Sequence, residues 1–235
     1  MGIKNKIIFI LLFSYGVAVG HYRIFPYNLI RGLKKTFIPR QRKVNRDLAK
    51  RTMLTQHQLI KGKAHVVMLG DSLTQAGLWS EHLNSKNIFN RGVNGDGLVD
   101  IYNRLGTVLQ LKPQKVFILA GINDLLSGDS VDEVMTNYIK VVSTLTDANI
   151  KVVIQSTISC NLELFTWCAN VFEKINQLNQ RLQTYAKSRS ITYINLNTYL
   201  SDQRGQLRAE LTYDGVHLLG GAYQQWSSVI LKEIN

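Results

Sequence analysis

The sequence predicts an α/β domain, with a mostly parallel sheet of five strands and helices on both of its faces. Two observations predict it. Short apolar runs of strand length alternate along residues 64–235 with amphipathic stretches of helix length. Those runs are apolar throughout rather than at every second residue, as burial on both faces of a parallel sheet requires. No stretch repeats at a fixed period, which removes solenoids and propellers.

Taken in order, His65–Leu69 (HVVML) predicts a buried strand ending at Gly70. A helix is expected near Leu78–Leu83, then a second strand at Ile88–Asn90 and a glycine-rich turn over Arg91–Gly97. Leu98, Ile101, Tyr102, Leu105 and Val108 have helical spacing and predict a helix over Leu98–Leu109. Lys115–Ala120 (KVFILA) reads as the third strand. Val131–Leu145 reads as a helix capped by Asp129 or Ser130. Val152–Thr157 is the fourth strand, Ala169–Lys187 a long helix, Ile191–Leu196 the fifth strand and Gly221–Ile234 the closing helix.

The formal charge of +12 is unevenly spread: residues 1–63 hold 14 Lys/Arg against one acid, Asp47, whereas residues 64–235 hold 14 against 15. The globular part is close to neutral, which argues against nucleic acid as a partner, because that needs a basic folded face. A basic arm beside an apolar segment suits an anionic membrane surface. Ile7–Gly20 is a charge-free run of 14 residues, short for a membrane span and ordinary for the apolar region of a signal peptide. Small residues at Ala18–Gly20 suit cleavage, while the apolar and aromatic His21–Ile30 suits an uncleaved anchor. Residues 1–30 are therefore expected to be a signal peptide or membrane anchor. Residues 31–63 form a basic linker with a surface helix over Arg42–Leu59, and residues 64–235 form the domain. The basic flank at Arg23, Arg31, Lys34 and Lys35 would hold the domain in the cytoplasm; the signal-like start favours the exported side.

Four polar clusters carry the chemistry. Gly70-Asp71-Ser72-Leu73 follows the first strand, Asn90–Gly97 the second and Gly121-Ile122-Asn123-Asp124 the third, while Asp214-Gly215-Val216-His217 precedes the closing helix. Ligands of such sheets bind beyond the carboxyl ends of the strands, so the clusters are expected to converge there. A serine hydroxyl needs a base to take its proton, and the base needs a carboxylate to fix its tautomer. Ser72, His217 and Asp214 supply that set. The backbone N–H of Ser72, the backbone N–H of Gly95 and the side-chain amide of Asn123 supply donors for an oxyanion.

These blocks resemble the GDSL, or SGNH, hydrolase family. Gly70–Leu73 match its opening signature letter for letter. Asn90 to Asp96 match its Asn-x-x-x-x-Gly-Asp block, Gly121–Asp124 its Gly-x-Asn-Asp block, and Asp214 with His217 its Asp-x-x-His block. The resemblance covers about residues 64–235. Gly97 departs from it, standing where Thr or Ser is common. The resemblance implies a flavodoxin-like three-layer α/β/α fold with a five-stranded mostly parallel sheet. It also implies metal-independent hydrolysis of carboxylic esters or thioesters, without a cofactor, as in lysophospholipases, acyl thioesterases and carbohydrate deacetylases. Ser72 lies outside a Gly-x-Ser-x-Gly elbow, so the chain is not an ordinary α/β-hydrolase.

Blander readings apply to the other residues. Asp71 and Asp124 are expected to brace their turns. His21, His57, His65 and His82 are scattered without metal-ligand spacing. The glycine-rich turn lacks the spacing of a dinucleotide site. Cys160 and Cys168 read either as two reduced thiols or, in an oxidising compartment, as a disulfide. Leu162, Leu164, Phe165 and Trp167, between these cysteines, read as core packing beneath a loop, or alternatively as an acyl-binding wall or a membrane-dipping lip. The expected function is hydrolysis of a small-molecule ester, an acyl lipid or an O-acetylated glycan. An O-acyltransferase using the same acyl-enzyme is the first alternative, and a catalytically idle, membrane-associated binding module the second.

Overall fold

The computed structural model describes residues 48–234 together with Tyr15. The expected signal or anchor, and most of the linker, lie outside the described residues. Of the expected surface helix, residues 48–59 are helical. Among the described residues no helix is long and apolar enough to cross a membrane.

Five strands form one sheet: β1 (Val66–Gly70), β2 (Ile88–Gly92), β3 (Lys115–Leu119), β4 (Lys151–Gln155) and β5 (Thr192–Ile194). Their order is β2-β1-β3-β4-β5, and every pairing is parallel. This is the flavodoxin-like order, whose winding reverses between β1 and β3 and opens a crevice there. In register, Gly70 lies beside both Gly92 and Leu119, so three chain segments leave the sheet at one level.

Successive side chains of a strand point to opposite faces, and two cores result. Val67, Leu69, Val116, Ile118, Val152 and Ile154 face the helices Leu98–Asn103, Val131–Asp147 and Phe172–Ser188. Val66, Met68, Phe117, Leu119 and Val153 face the second core, which holds Trp79, Tyr223 and Trp226. Trp226, on the closing helix Gly220–Ile230, meets Trp79 edge-on at 4.7 Å. Their indole N–H groups donate to Gln155 Oε1 and to the Thr74 carbonyl, so neither ring buries an unmet donor. Tyr223 Oη donates to the Leu73 carbonyl at 2.8 Å, joining the closing helix to the turn that carries Ser72.

Several boundaries differ from expectation for physical reasons. β2 runs on through Arg91 and Gly92, because Asn90 and Arg91 spend their polar groups on backbone carbonyls. The helix expected over Leu98–Leu109 is two pieces, Leu98–Asn103 and Gly106–Leu109. The long helix starts later than expected, at Phe172, after a 3₁₀ turn at Thr166–Asn170. Two helical turns, Ser72–Gln75 and Ile122–Ser127, were not expected. Ser130, rather than Asp129, caps the Val131–Asp147 helix: its Oγ accepts from Glu133 N, and Glu133 Oε2 accepts from Ser130 N.

Candidate active site

β1 delivers Ser72 to the first position of a helical turn at the carboxyl edge of the sheet. Asp71 caps that turn: its Oδ1 accepts from Leu73 N at 2.9 Å. The N–H groups at a helix start have no intrahelical partner. Asp71 takes that of Leu73. Asp71 is fully buried, and burial raises its carboxyl to about 7, against the pull of the Leu73 N–H and of the charge on His217.

The last of the four clusters meets Ser72 across 145 positions of sequence. Ser72 Oγ lies 3.2 Å from His217 Nε2, and His217 Nδ1 lies 2.7 Å from Asp214 Oδ2. The other Asp214 oxygen accepts from His217 N at 2.8 Å and Val216 N at 3.0 Å. Burial works against the charge of Asp214, yet these hydrogen bonds hold its carboxyl below the ordinary range. The side chains of His217 and Asp214 are 53% and 44% exposed, so bulk solvent reaches the imidazole.

Gly215 shapes this turn. Its φ of +91° belongs to the left-handed region. A Cβ there would stand 2.7 Å from Phe165 Cβ, 2.8 Å from Phe165 N and 2.9 Å from Asn161 O. Asn161 N donates to the Gly215 carbonyl at 2.8 Å. Asn161 and Phe165 belong to the loop that the Cys160–Cys168 disulfide closes, so the alternative of two reduced thiols does not hold in this structure. The loop therefore backs the Asp214–His217 turn. Of its apolar side chains, Leu162 and Phe165 pack on the core, as expected. Leu164 and Trp167 do not: they are 50% and 74% exposed.

The donor groups assemble on the other side of Ser72. Asp96 N donates to Val93 O at 3.2 Å and closes a turn. Gly95 takes its third place with φ +77°, the sign a type II turn demands there. A Cβ on Gly95 would meet nothing within 4 Å, so backbone conformation, rather than crowding, requires glycine. Asn123, in the first turn of Ile122–Ser127, donates through Nδ2 to Asp96 O at 2.9 Å and approaches Asp71 Oδ2 at 3.4 Å. Asp124 Oδ1 accepts from Leu98 N at 2.8 Å and braces the next helix. A Cβ at Gly97 would stand 2.8 Å from that carboxylate.

The structure thus brings Ser72, Gly95, Asn123, Asp214 and His217 to one edge of the sheet. It leaves His57, His65 and His82 elsewhere: His57 is buried, His65 Nε2 contacts Ile234 O, and His82 stacks on Tyr223. His21 lies outside the described residues. Among the described residues no group of three His, Cys, Asp or Glu could hold a metal ion. Sequence reasoning named Asn90 as the start of the second cluster and gave it no role; its Nδ2 gathers the carbonyls of Thr74, Gln75 and Gly77 beneath the turn that carries Ser72. Sequence reasoning likewise gave Gly215 no role, although an Asp-Gly pair is a turn signal.

Comparison with known proteins bears on the whole arrangement. The chain is 30% identical over 160 residues to an N-acylneuraminate cytidylyltransferase of Streptococcus agalactiae, a match covering 68% of this chain and 36% of that protein. The chain thus matches little more than a third of the length of these curated relatives. A GDSL-like lipase from Bacteroides thetaiotaomicron superposes with a TM-score of 0.67 at 24% identity, over 79% of this chain and 96% of that one. An acetylxylan esterase from Geobacillus stearothermophilus, solved as a catalytic mutant, superposes with a TM-score of 0.61 at 16% identity, over 75% and 96%. At such identities these two likenesses establish the fold. Residues 68–225, which run from within β1 into the closing helix and include all four clusters, match the model of one family, and on that match the chain belongs to the GDSL-like lipase/acylhydrolase family.

Proposed function

We propose that the chain is a serine hydrolase that removes small acyl groups, acetyl foremost, from hydroxyls of a glycan. The observation that carries this reading is the continuous hydrogen-bonded series Ser72–His217–Asp214 opening on solvent. His217 takes the Ser72 proton as Oγ attacks the ester carbonyl, and Asp214 stabilises the imidazolium. The N–H groups of Ser72 and Gly95 and the amide of Asn123 receive the developing oxyanion; a bound oxyanion would replace the long Asp71 contact of that amide. His217 returns the proton to the departing alcohol. Water, activated by His217, then releases the acid and restores Ser72. The steps call on no metal and no cofactor.

Two things support a sugar ester as the substrate. Acetylxylan esterases share the fold, and the curated relatives carry the name of a sugar-acid enzyme. Exposure of the base favours water over another alcohol as the acyl acceptor, and so favours hydrolysis over transfer. The reading extends to location: an exported domain tethered by residues 1–30 through a linker over 31–63. The Cys160–Cys168 disulfide and the basic, apolar arm support it.

The test is fluorophosphonate labelling of the wild-type chain and of Ser72→Ala, read by intact mass, followed by acetate release from O-acetylated sugars with and without an alcohol acceptor. One adduct on wild type, none on the folded variant, and free acetate are expected. A folded wild-type chain that takes no adduct would sink the mechanism.

A further inference from the structure

Arg104 has no place in the series just described, yet it touches the segments that carry the proposed oxyanion donors. It follows the Leu98–Asn103 helix, and its side chain is 6% exposed. Nε donates to Asp96 Oδ2 at 2.6 Å, Nη1 to the Arg91 carbonyl at 2.9 Å and Nη2 to the Gly70 carbonyl at 2.8 Å. Gly70 ends β1 two positions before Ser72. Arg91 lies on β2 beside Leu69, the residue before Gly70. Asp96 follows Gly95, and its own carbonyl accepts from Asn123 Nδ2. One planar guanidinium therefore reaches within two residues of both backbone oxyanion donors. It also reaches the residue that orients the side-chain donor.

We infer that Arg104 is the positioning residue of the oxyanion site, a three-way clamp that sets the Ser72, Gly95 and Asn123 donors at their mutual spacing; the inference rests on the hydrolase reading above. The chemistry fits the task. Three acceptors lie at three different nitrogens of one rigid fork, an arrangement that a lysine ammonium cannot copy. Burying a charged pair is an expensive way to fill space, since apolar residues of similar volume often serve stability as well or better. The pair here fixes directions, which apolar packing does less sharply. A donor displaced by about 1 Å loses much of its hold on an oxyanion.

The experiment uses the full chain as wild type and as Arg104→Lys. Fluorophosphonate titration counts the competent sites, and p-nitrophenyl acetate hydrolysis gives kcat per competent site, with KM and the pH profile. The expected result for the variant is a per-site kcat lower by about 10- to 100-fold. KM should stay within about twofold and the pH midpoint unchanged, because the Asp214–His217 pair is untouched. A merely structural role would lower the number of competent sites and leave kcat per site intact, and that result overturns the clamp. If Arg104→Lys does not fold, Asp96→Asn, which keeps the shape and an acceptor for Nε, is read the same way: a lowered per-site kcat supports the clamp and an unchanged one overturns it. A wild-type chain inert to fluorophosphonate and to ester would overturn the hydrolase reading itself, and the clamp with it.

Discussion

Replacing Gly215 by alanine should damage stability and activity together, and the structure gives the size of both effects. The left-handed backbone costs an alanine about 1–2 kcal/mol. The new Cβ also lies within 2.9 Å of three atoms, two of them backbone atoms of Asn161 and Phe165. Ordinary contact requires the turn and the loop to part by about 0.5–1 Å, and overpacking of that kind costs about 1–3 kcal/mol. The loop is tied by the disulfide and by the Asn161 N–H to Gly215 O bond, so the Asp214–His217 turn is the side that yields. A total of about 3 kcal/mol lowers the melting temperature of a domain this size by roughly 6–12 °C. A shift near 1 Å at the base costs about a hundredfold in kcat. Gly95→Ala is the control, with a comparable backbone penalty and no clash. It should melt only a few degrees below wild type. Thermal melts and p-nitrophenyl acetate turnover decide the matter. A Gly215→Ala chain that melts like Gly95→Ala and turns over like wild type would refute the reasoning that the loop holds this turn.

Three further outcomes are expected. Asn123→Ala should lower kcat by about a hundredfold or more with little change in KM; an unchanged kcat removes its amide from the oxyanion site. The double variant Cys160→Ser/Cys168→Ser should lose roughly 2.5 kcal/mol from loop entropy, measured by urea melts, and should lose kcat as the support of Gly215 loosens; a stable, fully active variant would separate the disulfide from the site. The raised carboxyl of Asp71 has a definite sign. Between 3.8, its ordinary value, and about 7 the folded chain holds a proton that the unfolded chain has released, so its contribution to stability falls as pH rises through that window. Asp71→Asn should flatten the decline between pH 4 and 7, and parallel pH profiles from urea melts would contradict the assignment.

The strands of the sheet were legible because two-faced burial writes itself as unbroken apolar runs, as at Lys115–Leu119. β2 was cut short at Asn90 because the polarity of Asn90 and Arg91 imitates a loop, and only the carbonyls that receive their donors show otherwise. Ser72, Asn123, Asp214 and His217 stand out in sequence because their chemistry names them. Arg104 does not. A charged residue inside an expected helix looks like a solvated one, and nothing in its neighbourhood along the chain foretells that β1 and β2 will pair, with Arg91 beside Leu69 and Gly92 beside Gly70. Gly215 was silent for a similar reason. A glycine in a turn is common, and what excludes a side chain there is a loop some fifty positions earlier in the chain.

The long interval between Ser72 and His217 has a consequence for how the chain is made. Ser72, the five strands and the Gly95 turn are all synthesised before His217, and a domain folds as a unit. Throughout that interval the serine is an ordinary alcohol. On the proposed mechanism reactivity would switch on only when the final segment docks, and the Tyr223 hydroxyl that reaches Leu73 O marks that docking. On that mechanism a nascent or truncated chain would be chemically silent, and covalent labelling of Ser72 would double as a measure of how much of a preparation has completed its fold.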